Sequence, residues 1–409
     1  MDILTSSEAL EHCKLLSNLI DEEIQKHAGR LNFSQFMALV LYSPNYGYYT
    51  SGSFKFGSKG DFITAPEISP LFGSTIARTI SPVLQYFLDK NQPSSILEFG
   101  AGSGKLCQDI LTSLHQINQL PKKYLILEVS PELRDRQKTL LVNFLNKHHY
   151  PISIEWVTDI PTHFDGVVIA NEVLDAIPVD LVIKHNNHWH YWCVSRSPKA
   201  SSPSFSDHWQ WTLGEQVPTD ILPSYLIESI LQYPQGYITE IHPQSNAWIN
   251  AVANSIHQGL FLTFDYGFPE KEYYHPQRHQ GTHMAHHRHQ AIPDMFYLPG
   301  LCDITSHVEW SSLNRTAVGN GMSLMNYQSQ GAYLLHAGIG DLFLSSTDPT
   351  NAKDYAIAAN AFQKLISEAE MGELFKTIAW SRNMPNDVAF ENLCASLPGF
   401  KDKQRLLEA

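Results

Sequence analysis

Residues 97–105 read LEFGAGSGK, and the placing of the three glycines decides what the surrounding fold can hold. SSILEFG, ending at Gly100, is a short apolar strand. SGKLCQDILTSLHQI, from Ser103, has helical spacing, so the glycines sit at a strand-to-helix turn. A phosphate loop of the pattern GxxxxGK[ST] needs glycine at position 99 and a hydroxyl at 106, where Phe99 and Leu106 stand. The dinucleotide pattern GxGxxG is met by Gly100 and Gly102, but Lys105 takes the third place and Gly104 comes one residue early. A pyrophosphate ligand is weakened by this, not excluded.

Moving outward, KYLILEV, ISIEWV, FDGVVIAN and GLFLTFDYG read as strands, and SPELRDRQKTLLVNFLNK as a helix. Strands alternating with helices predict an α/β, Rossmann-like, doubly wound sheet that is mostly parallel. Ligands of such sheets lie at the carboxyl ends of the strands. Three acids fall there in order: Glu98, Glu128 and Asp159. The set suits S-adenosylmethionine, a cofactor without phosphate. Glu98 faces its ammonium, Glu128 its ribose hydroxyls and Asp159 its adenine amino group, while Gly100, Gly102 and Gly104 let the backbone approach. Val129 and Ser130, which follow Glu128, and Asn171 at the end of the fourth strand are assigned to the cofactor with them.

Elsewhere the pattern is coarser. Leu10, Cys13, Leu16, Leu19, Ile20 and Ile24 recur at helical spacing, and Ser34 is a candidate cap for a helix over Gln35–Leu41. LVIKHNNHWHYWCVS reads as a hairpin turning at residues 185–188. Residues 197–225, rich in Ser and Pro, read as an insertion, and residues 269–300 as a long functional loop. GAYLLHAGIGDLFL and AKDYAIAANAFQKLISEAE read as helices, and ELFKTIAWSR as an added strand. The expected divisions are a helical and lid segment over 1–90, a core over 91–270 with an insertion at about 197–235, and a substrate loop with terminal elements over 271–409.

The chain has 409 residues, 28 Lys and Arg against 41 Asp and Glu, and a formal charge of -13. That sign argues against nucleic acid as partner. Five scattered cysteines without a CxxC pair suit a reducing compartment, and no run of about 18 apolar residues predicts a membrane span. The opening residues resemble neither a secretory signal nor a transit peptide, so a bacterial-type, cytoplasmic setting is expected. His275, His279, His283, His286, His287 and His289 crowd one loop, but no cysteine or carboxylate stands among them and no metal is assigned.

Several segments carry a resemblance: LYSPNYGYY, GDFITAPEISPLFG, LEFGAGSGKL, EVSPELRDRQ, ANEVLDAIPVD, LPGLCDITSHVEW and MGELFKTIAWSR. With them the chain resembles the MidA family of S-adenosylmethionine-dependent methyltransferases, which includes a mitochondrial complex I assembly factor. The resemblance implies a class I methyltransferase fold and a protein substrate methylated on arginine, with a subunit of respiratory complex I as one candidate. It leaves a homodimer open. GDFITAPE is then a lid that brings Thr64 to the cofactor and Asp61 and Glu67 to the substrate. NEVLDAIP, after the fourth strand, supplies Glu172 and Asp175 as catalytic candidates, joined by Asp265; Tyr266, Arg288 and His289 are candidates for substrate contact. The chain departs from the family at His283, usually apolar, and at Ala285, often cysteine. Two other readings stay open: a cofactor-binding assembly factor without catalysis, and a nicotinamide-dependent oxidoreductase.

Overall fold

The runs VVIA and LFLTF are too apolar for strands with a solvated face, and they become the buried middle of a large sheet. A computed structural model of the chain describes residues 6–51, 64–199, 204–288, 290–384 and 397–407. It begins with α1 (Ser7–Lys26), β1 (Arg30–Asn32), α2 (Phe33–Tyr42), α3 (Ala65–Ile68) and α4 (Pro70–Asp89). An alternating run follows: β2 (Ser95–Phe99), α5 (Lys105–Gln116), β3 (Lys123–Leu127), α6 (Pro131–His148), β4 (Ser153–Val157) and β5 (Phe164–Asn171). Next come β6 (Asp180–His185), β7 (His188–Arg196), β8 (Trp209–Gln216), α7 (Ser224–Glu228), β9 (Ile238–Ile241), α8 (Pro243–Ser255) and β10 (Ile256–Phe268). The last third holds α9 (Glu270–Tyr273), β11 (Met284–His287), β12 (Gln290–Ile292), β13 (Asp303–Thr305), β14 (Val308–Glu309), α10 (Trp310–Gly319) and β15 (Ser323–Ser329). After these stand α11 (Gln330–His336), α12 (Ile339–Ser346), α13 (Ala352–Ile366) and β16 (Phe375–Arg382).

The large sheet has the order β15-β16-β10-β5-β2-β3-β4, with β14 beside β10. From β4 to β10 neighbouring strands are parallel, and β16 runs against both its neighbours. Cores lie on both faces. One packs α4, α5, α6 and α11–α13, and the other packs α8 and α10. The strand order reverses between β2 and β5, which opens a crevice at their carboxyl ends.

A second, antiparallel sheet has the order β1-β7-β6-β9, with β8 on β7. Apart from β1, it starts at Asp180, ahead of the insertion expected from Ser and Pro content, because the β6–β7 hairpin joins it. Asn186 and Asn187, at φ 49 and 59, make the left-handed two-residue turn that hairpin twist favours. α1 and α2 pack on this sheet. Three expectations need correction. The 269–300 loop contains α9 and the β11–β12 hairpin, which pairs with β13. The helix expected over GAYLLHAGIGDLFL breaks at Gly338, whose φ of 83 no continuing helix adopts. Finally, α2 starts at Phe33, and Gln35 Oε1 accepts from the Asn32 amide at 3.0 Å; Ser34 instead gives its hydroxyl to Asp180.

Candidate active site

The crevice deepens into a cavity of about 590 Å³. Its floor at one end is the glycine turn. Gly100 and Gly102 take φ 60 and 54, and a Cβ at Gly100 would stand 3.1 Å from Val173 Cγ2. Bare backbone therefore faces the cavity there. Gly104, at φ 86, caps α5 and does not line the cavity. Glu98 is buried on β2, lines the cavity and accepts the Tyr124 hydroxyl at 2.8 Å. Burial pushes its carboxyl up to about 8, against the pull of that hydroxyl.

Glu128, just past β3, lines the cavity with Val129. Its Oε1 accepts the Ser130 amide and its Oε2 accepts Gln137 Nε2, both at 2.9 Å. Gln137 also donates to the Gly102 carbonyl at 2.9 Å and accepts Trp156 Nε1 at 2.9 Å. One amide thus ties β3, β4 and the glycine turn together. Sequence reading missed Gln137, yet a signal existed: it shares the buried stripe of α6 with Leu133, Leu141 and Phe144. Ser130 caps α6 from a buried position outside the lining. Asp159 is a correction. It is exposed, takes the neighbouring Thr158 hydroxyl at 2.8 Å and does not reach the cavity, because the chain after β4 turns to solvent.

Across the crevice, β5 ends in Asn171 and Glu172 follows it; both line the cavity. Glu172 has φ 53, a left-handed conformation uncommon for a side chain with a Cβ, and its amide donates to the Phe264 carbonyl at 2.9 Å. Its Oε1 accepts Asn171 Nδ2 at 3.2 Å and the Ala65 amide at 3.4 Å. Burial, with Asp175 adding repulsion, pushes Glu172 up to about 8. Asp175 also lines the cavity; it accepts the Tyr266 hydroxyl at 2.5 Å, and burial pushes it up to about 6.

Asp265, expected to be catalytic, stands behind this turn and not in the cavity. Its Oδ2 accepts the amides of Val173, Leu174 and Asp175 at 3.2, 2.9 and 3.2 Å. Burial and the neighbouring Asp175 and Glu172 push its carboxyl up, and the amides pull against them. Tyr266, next along β10, does line the cavity.

The described part of the lid segment closes on the glycine turn. Thr64 and Glu67 line the cavity, and Glu67 takes the Ser103 hydroxyl. Asp61 and His289 lie outside the described residues. Arg288 stands exposed at the β11–β12 turn, outside the lining. The crowded histidines disperse: His286 lines the cavity, His287 meets the Leu301 carbonyl at 3.0 Å, and His283 meets Glu240 at 2.7 Å. The last contact explains why a polar residue is tolerated at 283. Tyr42, Tyr49, Thr282, Asp303 and His307 also line the cavity; the segments LYSPNYGYY and LPGLCDITSHVEW hold four of them, but none of the five is a site candidate by sequence.

The residues fit S-adenosylmethionine. Bare glycine backbone and a held carboxylate at the end of β3 face one cavity, which is also lined by Asn171, whose buried Oδ1 has no partner among the described residues. Comparison with known proteins agrees. The model of a family of S-adenosylmethionine-dependent methyltransferases matches residues 75–328, more than half of the chain. The mitochondrial protein arginine methyltransferase NDUFAF7 of Homo sapiens is 26% identical over 385 residues, covering 87% of this chain and 80% of that protein. Its Caenorhabditis elegans homologue is 28% identical over 335 residues, covering 76% and 74%. A Burkholderia thailandensis protein, crystallised with S-adenosylhomocysteine, is 38% identical, covers 98% of both chains and superposes with a TM-score of 0.87. With the reversed sheet order, the bare glycine turn and these relatives together, the chain belongs to this family and is an S-adenosylmethionine-dependent methyltransferase with a class I α/β fold.

Proposed function

We propose that the chain methylates an arginine side chain of a protein. Glu172 and Asp175 carry this reading: two buried carboxylates at the acceptor end of the cavity, both shifted upward. A guanidinium is a poor nucleophile until a base takes its proton. A carboxyl pushed up to about 8 is a better base near neutral pH than an ordinary one. One guanidinium nitrogen attacks the methyl carbon in line, the carbon–sulfur bond breaks, and the displaced proton passes to Glu172. Asp175, held by Tyr266, keeps negative charge beside the acceptor. S-adenosylmethionine supplies the methyl group as a sulfonium. Glu98 holds its ammonium, Glu128 its ribose hydroxyls and Asn171 its polar edge, with Thr64 and Glu67 closing over it.

The relatives named as protein arginine methyltransferases support this acceptor. A complex I subunit is the first target to try, in a bacterial cytoplasm where the buried thiols of Cys13, Cys107, Cys193 and Cys302 stay reduced. The test is transfer of a tritiated methyl group to the host proteome, followed by amino-acid analysis. Label in methylarginine, lost with Glu172→Ala while S-adenosylmethionine still binds, is the expected result. Label confined to another residue type, or wild-type labelling no greater than that of Glu172→Ala, would sink the reading and favour an assembly factor that binds cofactor without catalysis.

A further inference from the structure

We propose that Asp303, with Tyr49 and Tyr42, forms the face of the cavity that selects a guanidinium over an ammonium; this rests on the arginine reading above. Asp303 opens β13, is buried, and lines the same cavity as Glu172 and Asp175. Tyr49 gives its hydroxyl to Asp303 Oδ2 at 2.8 Å. The Tyr42 ring lies against that of Tyr49, with centroids 5.5 Å apart and planes 18° from parallel. Tyr42 gives its own hydroxyl to the Ala176 carbonyl at 2.9 Å, next to Asp175.

Both rings are therefore pinned at their hydroxyl ends, and neither swings away without losing a hydrogen bond. Burial pushes both hydroxyls upward, so the aromatic wall stays neutral. A rigid aromatic wall edged by a carboxylate distinguishes the two cations found in proteins. A guanidinium is flat and weakly hydrated, so it lies along an aromatic face while its edge points at the carboxylate beside the rings. An ammonium is compact, more strongly hydrated and has no flat face to lay on them. Glu172 and Asp175 reach the cavity from the turn after β5, while Asp303 reaches it from a different sheet. Its role is selection, and it shows as a ratio between ligands.

The test uses full-length enzyme saturated with S-adenosylhomocysteine, titrated in a calorimeter with acetyl-Gly-Arg-Gly-amide and acetyl-Gly-Lys-Gly-amide. Wild type is expected to favour the arginine peptide by about tenfold. Asp303→Asn brings the ratio near unity, Tyr49→Phe lowers it part of the way, and Asp303→Glu restores some of it. Binding of S-adenosylhomocysteine stays within about twofold throughout, which separates lost selection from lost fold. A structural lesion would weaken both peptides alike and leave the ratio unchanged. If Asp303→Asn and Tyr49→Phe keep the wild-type ratio, the selecting face is overturned while the arginine reading stands. If wild type binds the two peptides equally, or neither, the arginine reading falls and the selecting face with it.

Discussion

Glu172 shows how a single backbone angle sets chemistry. Its left-handed φ turns the side chain into the cavity, where burial and Asp175 raise its carboxyl to about 8. For free enzyme, kcat/KM should therefore rise with pH through a midpoint near 8 and level off above it. Glu172→Gln should lower kcat by about 10²–10⁴-fold and flatten that rise. Linkage gives a second readout. Glu172 is more basic folded than unfolded, so its contribution to stability is full below its unfolded pKa and fades as pH climbs through about 8. Thermal melts should show Glu172→Gln gaining on wild type at alkaline pH and not at pH 4; no gain would mean the group is ionised in the empty enzyme. Glu128 and Asp159, equal candidates by sequence, should part company. Glu128→Gln should weaken S-adenosylmethionine by about tenfold or more, as loss of charge-assisted hydrogen bonds implies, while Asp159→Asn should bind as wild type. Calorimetry on the two variants decides it, and a loss at Asp159 would contradict its exposed position.

At the scale of elements, the central strands meet at one narrow rung. Ser95 on β2, Gly166 on β5 and Gly259 on β10 stand side by side, with φ 137 and 150 at the two glycines. A Cβ at Gly166 would lie 2.0 Å from the Ser95 carbonyl oxygen, and one at Gly259 1.9 Å from that of Gly166. Both contacts are to backbone, which cannot swing aside. Gly166→Ala should cost about 3 kcal/mol or more and give largely insoluble protein, although it sits at the far end of β5 from Glu172. Soluble Gly166→Ala with wild-type melting would show that the strands separate more easily than this rung implies. Much at this scale was readable. The apolar runs of β5 and β10 and the stripe of α5 follow directly from residue pattern, as does β16. The division of the 269–300 segment was not readable, because β11 and β12 are short and alternate with histidines that belong to no single environment.

For the whole molecule, Glu240 joins two layers. It lies on β9 of the second sheet, fully buried, and its Oε1 accepts the amides of Thr282 and His283 at 2.7 and 2.8 Å. Tyr273 donates to its other oxygen at 3.0 Å, and the Thr282 hydroxyl accepts the amide of His307 at 3.0 Å. Thr282 and His307 line the cavity, so the second sheet sets the far wall of the site. Burial alone would raise Glu240, but His283 and the two amides outweigh it and hold the group near 2. Its contribution to stability is thus present above its unfolded pKa and lost as pH falls through about 2. Glu240→Gln should lower stability at neutral pH by about 3 kcal/mol and raise the acceptor KM more than it weakens S-adenosylmethionine. Equal losses in both would point to general unfolding of the cavity.

What the sequence determined by itself was the sheet, the glycine turn and the acids at strand ends. Those depend on local pattern: apolar runs, the spacing of Gly100 and Gly102, and Glu98 and Glu128 at the limits of their strands. Tertiary structure alone decided which of the acids face the cavity. Asp159 and Asp265 have the same strand-end signature as Glu128 and Glu172, yet one turns to solvent and the other turns behind the 173–175 amides. It also brought Tyr42 and Tyr49, from the N-terminal segment, to Asp303 across about 250 residues. Side-chain direction at a strand end depends on what packs against it, and contacts between distant segments depend on layers that no local pattern records.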